Sequence, residues 1–232
     1  MRTLVIGDIH GAIKALTQVL ERADIQPTDH LIFLGDYADG WSQTPEVLDF
    51  LISYQHQQRC LFLRGNHDAL CYDFLQGKNM DTLWRLHGGK ATEKAYQNVT
   101  ETRRQAHLDF LASLQNYYLD AQNRLFLHAG FTNLRGIAYE HFPEMDYWDK
   151  TLWELAQSST LPPTDPHYPN RLKLYTHIYI GHTPTTRLGT DKPLSFNGVT
   201  NVDTGAAFKG RITIMDIDTL QYWQSDPVYT LY

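Results

Sequence analysis

Five short segments combine glycine with residue types that bind divalent metals: Gly7-Asp8-Ile9-His10-Gly11, Gly35-Asp36-Tyr37-Ala38-Asp39-Gly40, Gly65-Asn66-His67-Asp68, His128-Ala129-Gly130 and Gly181-His182-Thr183. Carboxylate and imidazole donors together suit manganese, iron or zinc. Asp8 and His10 are two residues apart, which in an extended segment sets both side chains on one side, within reach of one ion. Asp36, with two oxygens, is the natural bridge to a second. Asn66 offers a neutral carbonyl, and His128 and His182 offer nitrogens. This set fits two ions. Two ions about 3.5–4 Å apart bind a phosphoryl group and lower the pKa of the water that attacks phosphorus in line. His67 follows Asn66 directly and is the candidate to protonate the leaving oxygen, with Asp39 accepting a hydrogen bond from its other nitrogen. No serine or cysteine nucleophile is needed.

A Gly-Asp behind a strand is on its own a common turn, and a lone histidine is usually packed or solvated. His30, His56, His87, His107, His141, His167 and His177 take that reading. Co-occurrence sets the five segments apart, because each lies behind an apolar run. Residues 3–6, 31–34 and 60–63 read as buried strands, with amphipathic helices over 12–23 and 45–54 between them. In open α/β sheets ligands gather at the carboxyl ends of strands, so the first three segments should converge. Residues 68–115 read as mostly helical with a break at Gly88-Gly89. Strands at 125–127 and 178–180 precede the last two segments. Residues 131–170, rich in proline, read as an irregular excursion over the site with one helix near 146–157. Strands at 195–196, 199–202, 212–215 and 220–223, with turns at Asn197-Gly198 and 216–219, predict hairpins. No repeat or linker divides the chain, so residues 1–232 read as one α/β domain.

The formal net charge of −6 leaves no electrostatic footprint for a nucleic-acid polymer. An anionic substrate has to be drawn by a local positive feature instead. No apolar run approaches the roughly 20 residues that span a bilayer. The N-terminal sequence runs into the first motif without an apolar leader, which predicts a cytoplasmic protein. Cys60 and Cys71 read as small core residues.

The motif order GDIHG, GDYADG, RGNHD, HAG, GHTP resembles that of the calcineurin-like metallophosphoesterases. More narrowly it resembles the phosphoprotein phosphatase superfamily, which includes bacterial serine/threonine phosphatases, the bacteriophage lambda phosphatase and the symmetrical dinucleoside tetraphosphatases. Leu63-Arg64-Gly65-Asn66-His67 and Val202-Asp203-Thr204-Gly205 are similar to its bacterial branch. The resemblance implies a central β-sandwich of mixed strands flanked by helices. It implies two divalent ions, manganese foremost: Asp8, His10 and Asp36 would hold the first, and Asp36, Asn66, His128 and His182 the second. It also implies His67 as general acid paired with Asp39. Two positions depart from the family pattern. Asp68 stands where Glu is usual, and Gly40 stands where an Arg would grip the substrate phosphate in bidentate fashion. Arg64 is the nearest family-matched replacement, ahead of Lys90, Arg135, Lys209 and Arg211.

The expected activity is hydrolysis of phosphate monoesters by a serine/threonine-type protein phosphatase, with a phosphoprotein or small phosphoester as partner. The alternative is a nucleotide-directed enzyme that cleaves a dinucleoside polyphosphate or cyclic phosphodiester. Aromatic residues of the excursion (Phe131, Tyr139, Phe142, Tyr147, Trp148, Trp153) leave room there for base stacking. A non-catalytic scaffold is the remote reading, since every ligand position keeps a competent residue.

Overall fold

The computed structural model describes residues 1–78 and 80–232. Asn79, inside the stretch 68–115 read as mostly helical, lies outside the described residues. The described strands are β1 (Thr3–Ile6), β2 (His30–Phe33), β3 (Arg59–Phe62), β4 (Tyr117–Leu119), β5 (Arg124–Leu127), β6 (His177–Ile180), β7 (Leu194–Phe196), β8 (Val199–Asn201), β9 (Thr213–Asp216) and β10 (Tyr222–Gln224). They form two sheets, β10-β9-β1-β2-β3 and β4-β5-β6-β8-β7. In the first, β1, β2 and β3 are parallel and β9 runs against β1. In the second, β5, β6 and β8 are parallel, with antiparallel β4 and β7 at the edges.

Side-chain alternation along the strands builds the layers. Val5 and Ile32 of the first sheet meet Phe126 and Tyr179 of the second in a core between the sheets, with Leu34, Leu63 and Val202. Phe126 and Tyr179 stack there at 5.2 Å. The alternate residues Leu4, Ile6, Leu31 and Phe33 face outward under helices α1 (Ile13–Arg22) and α2 (Thr44–Tyr54). Leu125, Leu127, Ile178 and Ile180 face outward on the other side, against Leu152 and Trp153. Leu4–Ile6, Leu31–Phe33 and Leu125–Leu127 are apolar without a break because both faces of these strands are covered. The result is the two-sheet sandwich flanked by helices that the motifs imply.

The remaining helices are α3 (Asn66–Leu75), α4 (Thr82–Trp84), α5 (Lys90–Ala95), α6 (Glu101–Ser113), α7 (Met145–Trp148) and α8 (Thr151–Ser158). The single helix expected over 146–157 is two. Asp149 turns extended, and its carboxylate accepts from the Thr151 and Leu152 N–H groups at 3.0 Å each, capping α8. Strand β4 is an addition, three residues pinned to β5. No helix among the described residues is long and apolar enough to cross a membrane.

Candidate active site

Each metal-competent segment begins where a parallel strand ends: β1, β2 and β3 in one sheet, β5 and β6 in the other. The backbone ties these loops together. The N–H groups of Ile9 and His10 donate to the Asp36 carbonyl at 3.0 and 2.9 Å, and Gly181 N–H donates to the His128 carbonyl at 2.8 Å. The Asp68 carboxylate accepts from the N–H groups of Asp36, Tyr37 and Gly65 at 2.8 Å and of Ala38 at 3.2 Å. His10, Asp36, Asp39 and His182 all lie at positive φ, between 53° and 68°. Such strain persists only where the surroundings over-determine it. Asp8 and His10 therefore meet through a left-handed turn at His10, not through the strand alternation expected from their spacing.

The six expected ligands converge. His10 Nε2 lies 3.6 Å from Asp8 Oδ2 and 3.5 Å from Asp36 Oδ2. His128 Nε2 lies 3.4 Å from the same Asp36 oxygen and 3.2 Å from Asn66 Oδ1, and His182 Nδ1 is 2.9 Å from Asn66 Oδ1. His128 Nδ1–H donates to the Leu34 carbonyl at 2.9 Å, which turns the Nε2 lone pair toward Asp36. Asp8 Oδ2 and His182 Nε2 are buried without a partner. Orphaned donors of these types, around a carboxylate shared by two histidines, suit a pair of divalent cations. His10, Asp36 and His67 form one close donor group, and Asp36, His128 and His182 another. Asp8 is the better third member of the first group, because its free oxygen needs a cation while His67 already holds Asp39.

The electrostatics agree with a cation site. Burial pushes the Asp36 carboxyl up, but His128 and His67 outweigh it and hold it well below the usual carboxylate range. Burial lowers His67 and His128, yet the Asp36 charge and their other acidic neighbours lift them to about 9 and about 10. His182 falls to about 3 through burial and the nearby His128. The negative field that raises two imidazoles is one a divalent ion would answer. His67 stands beside the ligands, its ring 5.0 Å from that of His10, and its Nδ1–H donates to Asp39 Oδ2 at 2.8 Å.

A cavity of about 740 Å³ opens over this cradle, lined by His10, Asp36, Asn66, His67, His182 and Asp203. Its rim carries the exposed apolar side chains Leu83, Leu86, Trp148 and Phe208, and the cations Lys150 and Arg187. Arg64 is not brought to it. Its guanidinium donates to the Leu114 carbonyl at 3.1 Å, closing off the end of α6. Arg135 stacks on Tyr139 and Arg211 pairs with Asp191 at 2.9 Å, and neither Lys90 nor Lys209 lines the cavity. The backbone explains the missing arginine at Gly40. Its φ is +81°, a Cβ there would lie 3.0 Å from that of His10, and Gly88 crosses close enough for its carbonyl to accept from Gly40 N–H at 3.3 Å.

His87, read as an ordinary histidine, also lines the cavity. Trp84 and Lys150, which line it as well, carried no signal, since a lone Trp reads as core and a Lys as solvated charge.

A two-sheet sandwich with carboxylate and imidazole loops at its strand ends defines a metallophosphoesterase, a hydrolase. The chain belongs to the calcineurin-like phosphoesterase family, whose model matches residues 1–206. It is 28% identical to the asymmetrical bis(5'-nucleosyl)-tetraphosphatase PrpE of Anoxybacillus flavithermus, over 91% of this chain and 88% of the relative. It is 27% identical to serine/threonine-protein phosphatase 1 of Salmonella typhimurium, over 92% and 90%. A serine/threonine phosphatase from Saccharomyces cerevisiae shares the fold with a TM-score of 0.64 at 13% identity, covering 98% of this chain and 83% of that one.

Proposed function

We propose that the chain hydrolyses nucleotides at their phosphoanhydride bonds, with dinucleoside polyphosphates as the substrate class. The metal centre would be held by Asp8, His10, Asp36, Asn66, His128 and His182. The observation that carries this reading is that the cradle and His67 share one cavity with an apolar rim. The cradle suits any phosphoester, and the rim narrows the choice. Leu83, Leu86, Trp148 and Phe208 are 58%, 75%, 42% and 59% exposed, and they come from three separate parts of the chain. Gathered apolar surface of this kind marks a binding site. A nucleobase stacked on an aromatic ring gains about 1–3 kcal/mol. The likeness to a dinucleoside tetraphosphatase supports the same class.

Bound divalent ions would polarise the phosphoryl oxygens and acidify the attacking water. The protein does the rest. Asp36 would be shared between the half-sites, and the Leu34 carbonyl, accepting from His128 Nδ1–H, leaves Nε2 free to ligate. Asp39 holds His67 Nδ1–H, leaving Nε2 to hand a proton to the leaving oxygen. Lys150 and Arg187 offer the positive charge absent at Gly40.

The test is a kcat/KM comparison with manganese on diadenosine tetraphosphate, p-nitrophenyl phosphate and a phosphoserine peptide. The dinucleotide should lead by at least about tenfold, and Trp148→Ala should erase that lead. A phosphopeptide that outperforms the dinucleotide makes the protein-phosphatase reading the correct one, a reading the Salmonella relative supports.

A further inference from the structure

We propose that Trp84 and Thr92 are positioning residues that set the acid pair through Asp39, an inference that rests on the hydrolytic reading above. Asp39 is fully buried, and both its oxygens are taken. Oδ2 accepts from His67 Nδ1 at 2.8 Å and from Trp84 Nε1 at 2.7 Å, while Oδ1 accepts from Thr92 Oγ1 at 2.6 Å. The direction of the remaining bonds follows by elimination. A carboxylate only accepts, so the Thr92 hydroxyl proton goes to Asp39. Thr44 Oγ1, 3.2 Å from Thr92 Oγ1, must then donate to it. The Thr44 oxygen in turn accepts from Asp39 N–H at 3.1 Å. Asp39 N–H, Thr44, Thr92 and the Asp39 carboxylate thus close a ring of hydrogen bonds. The ring fixes the rotation of the carboxylate, and Trp84 fixes the oxygen that faces His67.

The chain is bent to make this possible. Eight residues of continuous α-helix would separate Trp84 from Thr92 by about 12 Å along the axis, too far to grip one carboxylate from two sides. The wide turn Arg85–Gly89 folds the segment back between α4 and α5, with Gly88 at φ +109°. A Cβ on Gly88 would come 2.5 Å from the Gly40 nitrogen, and one on Gly89 would come 2.2 Å from the Trp84 indole. Both glycines therefore serve the approach of Trp84 to Asp39.

The step served is leaving-group departure. The bond from phosphorus to the leaving oxygen breaks with its electron pair on that oxygen. The proton on His67 Nε2 passes to it, and water forms the new bond to phosphorus and releases a proton to solvent. A misaligned acid harms esters of weakly acidic alcohols most, because a good leaving group departs without help.

The p-nitrophenyl and phenyl esters of phosphate and of thymidine 5'-phosphate make the test, assayed with manganese on the wild type, Trp84→Phe, Thr92→Val and Thr92→Ser. In Trp84→Phe and Thr92→Val the ratio of kcat/KM on p-nitrophenyl to phenyl esters should rise at least about tenfold. His67→Asn should match it, and Thr92→Ser should restore the wild-type ratio. Thr92→Val is nearly isosteric and carries the test alone if Trp84→Phe fails to fold. An unchanged ratio in Thr92→Val overturns the proposal while leaving the hydrolytic reading intact. No Asp36-dependent turnover by the wild type, on any of the four esters or on diadenosine tetraphosphate, overturns both.

Discussion

Asp36 faces His10 on one side and His128 on the other, 3.5 and 3.4 Å from the same oxygen, and its second oxygen accepts from the His67 backbone N–H at 2.9 Å. An amide in its place keeps the shape and loses the charge that two ions would share. Asp36→Asn should lower the metal content measured by plasma mass spectrometry from two ions to one or fewer. It should cut kcat/KM by more than the roughly 10–100-fold that loss of an outer partner costs. His67 makes the contrasting prediction. As an acid it contributes about 10²–10⁴-fold to kcat, and His67→Asn should lose that much with both ions still bound. A fall in metal content in His67→Asn would instead make His67 a ligand, as its closeness to His10 and Asp36 allows. That Asp36 and His67 would meet in one cluster was legible in the sequence, because carboxylate and imidazole stand beside glycine at the ends of apolar strands. Arg64 was not, since a guanidinium goes to whichever acceptors the fold presents, and here those are the carbonyls ending α6.

At the scale of elements, the central strands were legible because cover on both faces leaves unbroken apolar runs such as Leu4–Ile6 and Leu31–Leu34, and the partly exposed β7 and β10 were legible from the turns beside them. The short pieces of the excursion and the turn Arg85–Gly89 were not, because tertiary contacts hold them: Asp149 splits the helix expected at 146–157, and Gly88 turns to meet Gly40. The same crossing shows why the family arginine cannot simply be restored. Gly40→Arg puts a side chain at φ +81° with its Cβ against His10. It should lower stability by about 1–3 kcal/mol in urea unfolding and weaken phosphate binding, where a free site would have strengthened it. The entrance to β1 offers a pH test. Burial pushes the Asp29 carboxyl up, but the Arg2 side chain and the N–H groups of Gln26 and Arg2 outweigh it and hold it to about 2. That value lies below the unfolded one of about 3.9. The stabilisation is therefore present above about pH 4 and is lost as pH falls through about 2. Arg2 stays 28% exposed, so screening trims the pair to about 1 kcal/mol. Asp29→Asn should cost that much at pH 7 in denaturant melts, with the gap closing toward pH 2.

Across the whole molecule the cradle straddles the two sheets. Asp8, His10, Asp36 and Asn66 hang from β1, β2 and β3, whereas His128 and His182 hang from β5 and β6. The sheets are joined between them by an apolar core of Val5, Ile32, Phe126 and Tyr179, and at the cradle by the hydrogen bonds of His128 Nδ1–H to the Leu34 carbonyl and of His182 N–H to Asp8 Oδ1 at 3.3 Å. An ion held by Asp36, Asn66, His128 and His182 would therefore act as a staple between the layers, as well as a centre for chemistry. Binding that favours the folded state raises stability by about 2.7 kcal/mol at a hundredfold excess over Kd. In a chain of this size each kcal/mol moves the melting temperature by about 2–4 °C. Calorimetry in EDTA and then in excess manganese should show a rise of about 5–10 °C. His128→Ala and His182→Ala remove ligands from the second sheet only, and each should cut the rise by at least about half. Wild-type gains in both variants would place the stabilising ion away from the junction of the sheets.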